Sequence, residues 1–473
     1  MTLASTRFSS KNDTARPRLV LIATSLGVLF AQIDTSVVNL AVKSIAADLH
    51  AGVSEMQWVV DSYNLIYASL LLTGGTLGDL YGRRQVFVSG ILLFILGTLV
   101  CALASNASML IAGRIISGLG AAFEVPMSLV LLTLAYPDRK ERAHALGIWA
   151  SCNALAFIIG PMLGGWLVDT VGWRSIFYVI LPICAAAVVL TYAAVRESSE
   201  PNGRRLDLPG QALAIIGLAG FAFAAIEGSH WGWTSPTILS IAGTAVVALL
   251  LFVWVEAKTP GPLLPLEFLR RPVFSATLAI AGLMTFGMYA LLFVMPLYFQ
   301  VMRGATALVA GLELLPMPAS FFVISQYVGH LNNRFGPRIV MTAGMSCMGI
   351  GALALTLIGK DTRLLAVELA LIVVGIGLGL NTAPVNGVAV AALPPERSGT
   401  ASGVLNTSRM VGATLGVAVL GALFAAHAGQ AATAGDGFIP GLRAALTGSA
   451  SAELLGALVA FAFIRRNSLH TKT

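Results

Sequence analysis

The sequence predicts an all-α polytopic membrane protein, and three observations carry that expectation. Hydrophobic residues make up 57% of the 473-residue chain and charged residues only 11%, against roughly 25% charged in an average soluble domain. The apolar stretches are long continuous runs of the ~20 residues a helix needs to cross a bilayer, not the ~10-residue alternations of a β-barrel. The 49 glycines suit close packing between lipid-embedded helices, where small residues let backbones approach. A soluble enzyme of this length is excluded.

In chain order, the first six spans are expected at about 19–42, 57–78, 86–104, 108–134, 144–168 and 175–195. Two more follow at about 210–227 and 236–256. The last six are at about 274–299, 307–330, 339–358, 364–390, 400–425 and 449–464. Fourteen is even, so both termini share one side. The polar, basic start up to Arg18 has no cleavage site after its apolar run, so that run reads as a span and not as a removed signal.

Basic residues set the orientation, because cytoplasmic loops hold an excess of Lys and Arg. Of the 29 Lys and Arg, 21 fall on the side of the termini and six opposite, while Arg114 and Arg409 lie within spans. Both termini are therefore expected in the cytoplasm. Topology also explains the net charge of +7, so a nucleic-acid partner is not needed. Cys101, Cys152, Cys184 and Cys347 all sit inside apolar runs, without metal-ligand spacing or a disulfide framework. No metal and no cofactor is expected.

A repeat divides the chain. Gly75, Leu77, Asp79, Gly82 and Arg84 after span two recur, 254 residues later, as Gly329, Leu331, Asn333, Gly336 and Arg338 after span ten. Internal duplication of a six-helix unit is a transporter signature. The expected organisation is a first bundle over 1–195, two inserted spans with their linkers over 196–273, and a second bundle over 274–473. Asp207, Leu208, Pro209 and Gly210 supply a helix start for the inserted pair.

Four motifs, in order along the chain, resemble those of the fourteen-span drug:proton antiporter family of the major facilitator superfamily. The loop motif is carried by Gly75, Leu77, Asp79, Gly82, Arg83 and Arg84, with Leu80 replacing the usual basic residue. The span-one motif is carried by Asp34, Asn39 and Ala41, with Ser36 for threonine and Lys43 where proline is usual. The span-four motif is carried by Arg114, Gly118 and Gly120, with Ser117 for glutamine. A span-five motif associated with export matches Gly160, Pro161, Gly164 and Gly165, with Ala156 for its first glycine. The resemblance covers nearly the whole chain. It implies two six-helix bundles plus two extra helices, working by alternating access in the bacterial cytoplasmic membrane.

The residues have physical readings of their own. Asp79, Gly82, Arg83 and Arg84 make a tight, charged turn that could latch two helices, or simply orient the chain. Pro161 removes a backbone donor and the glycines allow close contact, so this span could hinge or seal a cavity, or simply pack. Ionisable groups within spans cost about 2.5–3.5 kcal/mol each at a helix centre, so they usually mark a wet cavity or a proton path. Asp34 is expected about eight residues, ~12 Å, from the outer end of span one. Asp61 and Arg114 are expected at comparable depth. Asp34, Asp61, Glu124 and Glu313 are the candidate proton-coupling residues, each weighed against a structural role.

Glu124 is expected on a polar stripe with Ser117 and Ser128 that forms a cavity wall. Glu227, Glu368 and Glu453 are expected at membrane interfaces. Arg114, Asn406 and Arg409, with Met284, Phe286, Met288 and Tyr289 of span nine, are the candidate cavity lining. Met and aromatics at helical spacing suit bulky lipophilic cations, although such stripes often face lipid or core.

The expected function is proton-coupled export of amphipathic, often cationic compounds. The partners are those substrates, protons and membrane lipid, and the chain is expected to work as a monomer. Uptake of a polar nutrient and export of one dedicated metabolite or antibiotic remain alternatives. An intramembrane enzyme is disfavoured, because no metalloprotease, serine-hydrolase or nucleotide-binding motif is present.

Overall fold

The structure, a computed structural model, describes residues 16–200, 206–259, 264, 266–394, 397–428 and 437–464. Arg7, Lys11, Arg204, Arg205, Arg465, Arg466 and Lys472, which contribute to the expected charge asymmetry, lie outside the described residues. Those described are overwhelmingly helical. The helices are α1 (Pro17–Leu49), α2 (Val53–Tyr81), α3 (Arg83–Ala102), α4 (Ala107–Ala135), α5 (Arg139–Thr170), α6 (Ser175–Ala194), α7 (Leu208–Trp231) and α8 (Pro236–Glu256). After the short α9 (Leu266–Leu269) come α10 (Pro272–Leu297), a π-helical turn (Tyr298–Met302), α11 (Ala307–Leu314) and α12 (Pro316–Phe335). The chain ends with α13 (Pro337–Leu355), α14 (Leu364–Ala391), α15 (Ser398–Ala428) and α16 (Phe438–Phe463).

Among the described residues, 13 stretches are helical, long and apolar enough to cross a membrane, with α11 and α12 together forming one of them. The second expected span is not among the 13. It is α2, which is 29 residues long but carries Glu55, Asp61 and Asp79. It is nevertheless packed on α4 within the same bundle, so a total of fourteen is compatible with the structure.

The packing repeats. In the first half α1 contacts α4, α5 and α6, α3 contacts α4 and α6, and α2 contacts α4. In the second half α10 contacts α14, α15 and α16, α13 contacts α14 and α16, and α12 contacts α14. The sequence repeat marks equivalent turns in the two halves. Gly82 (φ 115°) joins α2 to α3 and Gly336 (φ 81°) joins α12 to α13. Both need a backbone conformation in which a Cβ would be strained.

The halves meet along two seams, α2 against α15 and α5 against α11. The inserted helix α7 covers the first seam, touching both α2 and α15, and α8 packs on α7. Gln211 near the start of α7 donates to the Ser69 carbonyl (2.6 Å) and accepts from Thr73 on α2. Near its end, Glu227 accepts from Ser54 Oγ and Trp58 Nε1 at 2.8 Å each. Toward α15 it offers Ala222, Ala225 and Ile226 against Ala418. It is thus bonded to one half and in apolar contact with the other.

Two expectations change. Span one does not end near residue 42 but runs to Leu49, because Lys43 and Asp48 find partners there: the Gln300 carbonyl for Lys43, and Trp173 and Arg174 for Asp48. Asp34 is therefore near the middle of a 33-residue helix. Span ten is broken at Leu315, where α11 gives way to α12 at Pro316, since proline supplies no amide to carry the helix ladder across.

Candidate functional site

The centre of the first half is a buried ion pair. Arg114 Nη1 donates to Asp34 Oδ2 at 2.5 Å, and both side chains are at most 2% exposed. Arg114 Nε donates to the Val59 carbonyl at 3.0 Å. Its guanidinium also lies over the Tyr63 ring, 4.4 Å from the centroid, in a cation–π arrangement. Three helices of one half, α1, α2 and α4, thereby share one charge. Asp61 is fully buried and neither carboxylate oxygen has a hydrogen-bond partner. It sits one helical turn beyond Gln57, whose amide reaches the Val417 carbonyl of α15 at 3.4 Å, so it shares the face of α2 turned to the other half.

Glu124 is placed differently from the expected cavity wall. Its carboxylate is wholly buried without a partner, and it packs against Gly27 of α1 and Gly90 of α3. Ser117 likewise faces Gly97 of α3. Gly90 and Gly97 on α3, with Gly113 and Gly120 on α4, let the two backbones close to contact. The arc that helical spacing made a candidate cavity wall is thus turned into the bundle. Glu453 is a second correction. It is not interfacial but fully buried, against Gly287 of α10, with both oxygens unpartnered. Glu313 is half-buried at the α11–α12 break, and its Oε2 is unpartnered.

In the second half Arg409 has no carboxylate among the described residues. Its two contacts, to Asn406 Oδ1 and the Thr382 carbonyl, are both at 3.5 Å, and its Nε is unpartnered. The adjoining backbone is held firmly: Thr285 donates to the Arg409 carbonyl at 2.6 Å, and Gly412 and Gly416 bring α15 onto α10. Asn406 is exposed although it lies two turns inside α15. Met284, Met288 and Tyr289 are core residues, and Phe286 packs against that core. A small cavity of about 30 Å³ between the halves is lined instead by Ser36, Asn39 and Pro161 from one side and Leu292, Pro296 and Met317 from the other.

The span-five motif closes that cavity. A Cβ on Gly160 would strike Ser36, and one on Gly164 would strike Val37, both on α1. One on Gly165 would meet the backbone of Ala307 and Leu308, and one on Gly311 of α11 would strike the Pro161 carbonyl. Beside it, Asp169 accepts from the amides of Ala307 (2.9 Å) and Leu308 (2.8 Å), an acid from one half at the helix start of the other. Gln300 Nε2 donates to the Leu40 carbonyl at 2.9 Å, and Lys43 Nζ to the Gln300 carbonyl at 2.8 Å. Among the described residues, every polar bond joining the two halves lies toward this end. Lys43, Asp169 and Gln300 were missed in the sequence, and only Lys43, standing where proline is usual, offered a signal.

At the opposite end the loop motif is bound within its own half. Arg83 donates to Asp79 Oδ1 (Nε 3.1 Å, Nη2 2.9 Å) and to Glu200 at 3.1 Å. Glu197 accepts from the amides of Arg84 and Gln85 at 3.0 Å each, and it fills the space where a Gly82 side chain would stand. The carboxylate capping α3 is therefore Glu197, not Asp79.

Packing and repeat together define a two-bundle transporter fold. The sequence profile described as Major Facilitator Superfamily matches residues 24–218 and 210–417, and the chain belongs to that superfamily. It is 40% identical over 413 residues to "Multidrug resistance protein Stp" of Mycobacterium tuberculosis, covering 86% of this chain and 76% of that one. It is 36% identical to "Methylenomycin A resistance protein" of Streptomyces coelicolor, covering 85% of this chain and 84% of that one. Among solved structures, an auto-inhibited peptide transporter of the POT family superposes with a TM-score of 0.71 over 95% of this chain and 97% of that one, at 17% identity. At that identity the likeness concerns the fold alone. The protein is a multi-pass membrane transporter.

Proposed function

We propose that the protein is a proton-coupled exporter of amphipathic drugs, with both termini in the cytoplasm and fourteen spans. The relatives named for multidrug and methylenomycin resistance support drug export, and the buried Asp34–Arg114 pair carries the coupling. A proton arriving at Asp34 frees Arg114 from its acid. Arg114 then has only the Val59 carbonyl and the Tyr63 ring, so the pair has two arrangements of different cost. If the Arg83 end is cytoplasmic, as the basic residues indicate, the structure is closed outward by Asp169, Lys43 and Gln300. Asn406 is exposed on the cytoplasmic side, as an exporter loading its substrate requires. Each elementary charge moved across the membrane is worth about 2.3 kcal/mol per 100 mV, and each pH unit about 1.36 kcal/mol.

Dye efflux from energised whole cells, with and without an uncoupler, tests this reading. Efflux that persists after the proton gradient is collapsed removes the coupling. For topology, a cysteine at Ser199 is expected to react with impermeant thiol reagents only from inside, and one at Ser229 from outside. A second reading, export of one dedicated antibiotic bearing an anionic or acceptor group, is favoured by Arg409, whose charge has no acid among the described residues.

A further inference from the structure

The inserted helix α7 borders a cavity that lies outside the passage between the halves. It has a volume of about 430 Å³ and is lined by Trp58, Ser62, Leu65 and Ile66 of α2, Ile111 and Ile115 of α4, and Ala219 and Phe223 of α7. That is the size range of small-molecule sites. Its exposed walls are apolar, and the Ser62 hydroxyl beside it is buried without a hydrogen-bond partner. Ile115 is 41% exposed, so the cavity opens sideways toward the surroundings of the bundle.

Helical register extends this lining toward a charge. Ala219, Phe223 and Glu227 follow one another at four-residue steps on α7, as do Ser54, Trp58 and Ser62 on α2. Glu227 is half-buried, and its carboxylate accepts from Ser54 and from the indole of Trp58, both neutral donors. Among the described residues it forms no ion pair. Aromatic rings surround the approach. Trp58 and Phe223 are 6.0 Å apart, and Phe223 and Trp231 meet edge to face at 5.7 Å. An acid without a basic partner, aromatic faces and an apolar chamber are the three components that recognise a lipophilic cation.

We propose that the cavity between α2, α4 and α7 is an accessory site for a lipophilic cation entering from the bilayer, its apolar body in the chamber and its charge beside Glu227. The site gives the inserted pair a role in holding substrate at the outer leaflet, at the Ser229 end of α7, which rests on the drug-export reading. It is separate from the Asp34–Arg114 pair. Trp231 and Trp233, both about half exposed at the end of α7, suit the membrane–water interface where such cations collect.

Equilibrium binding of radiolabelled tetraphenylphosphonium to the full-length protein in lipid nanodiscs tests the proposal. Asp34→Asn is expected to keep one equivalent bound, because the accessory site does not use Asp34. Adding Glu227→Gln, which retains the acceptor for Ser54 and Trp58, is expected to weaken that binding at least about tenfold. Adding Ala219→Trp, which fills the chamber and leaves the acid in place, is expected to do the same. Binding in the Asp34→Asn background that neither second substitution changes overturns the site, as does the absence of binding both there and in the Asp34→Asn/Arg114→Gln background, where the unpaired charge is removed. Efflux that is insensitive to an uncoupler would instead count against the coupling mechanism and leave these binding results intact. If a neutral hydrocarbon probe binds as tightly as the cation and ignores Glu227→Gln, the chamber holds lipid chains, and the proposal falls.

Discussion

The two halves share a packing plan but treat their arginines in opposite ways. Arg114 has an acid at 2.5 Å, a carbonyl at 3.0 Å and an aromatic face, all within its own half. Arg409 has two contacts at 3.5 Å and an unpartnered Nε. A fully buried acid of the second half, Glu453 of α16, lies elsewhere, against α10. The scaffold therefore repeats while these charges do not, Arg114 standing on α4 and Arg409 on α15, the counterpart of α5. A paired charge can be switched by moving one proton, whereas an unpaired one is available to a ligand. The halves are thus suited to different tasks on one architecture.

The largest expected effect tests the paired side. Asp34→Asn leaves Arg114 charged and buried without its acid, a loss of about 3–5 kcal/mol for a broken buried pair. Proton-driven dye efflux is expected to fall to background, and the melting temperature of the purified protein to drop. The double variant Asp34→Asn/Arg114→Gln should recover thermal stability without recovering efflux. If efflux returns as well, the pair is structural and coupling lies elsewhere.

Next comes the loop at the Arg83 end. Asp79→Asn removes the charge that holds Arg83 without changing volume, and transport is expected to fall about tenfold at unchanged expression, or about 1.4 kcal/mol. The corresponding position in the second half is already Asn333, so Asn333→Ala should have much less effect. Equal losses would erase the asymmetry between the two loops.

A smaller shift is expected at the closed end. Asp169→Asn weakens the cap on α11, worth roughly 1 kcal/mol for a helix-capping side chain. A cysteine at Asn39 should then react about fivefold faster with an impermeant thiol reagent applied outside. Unchanged reactivity would show that the glycine contacts of α5 close the seam unaided. Arg409→Gln carries the smallest effect on stability. Its bonds are long, so the melting temperature should stay within a few degrees, while efflux of substrates bearing an anionic or acceptor group falls and that of simple cations does not. A collapse of stability comparable to that of Asp34→Asn would make the two arginines equivalent after all.

Much of this was legible in the residues. Apolar runs of helical length and the recurrence of Gly82 as Gly336 specify the helices and the duplication, because each is a local requirement of lipid or of backbone geometry. Gly160, Gly164 and Gly165 announced a close contact, since small residues at that spacing have little other use in a span. What local pattern could not decide was direction. Helical spacing puts Ser117, Glu124 and Ser128 on one arc, but only the glycines of α3 turn Ser117 and Glu124 away from the cavity. Glu453 looked interfacial because distance from a span end is all that a sequence offers, whereas its burial depends on Gly287, 166 residues earlier. Asp169, Lys43 and Gln300 are unremarkable in their own segments and become a closure only where two halves meet. The sequence determined which segments are helices and that they are duplicated; the tertiary structure decided which charges found partners, because a partner belongs to another helix and is chosen by how the bundles pack.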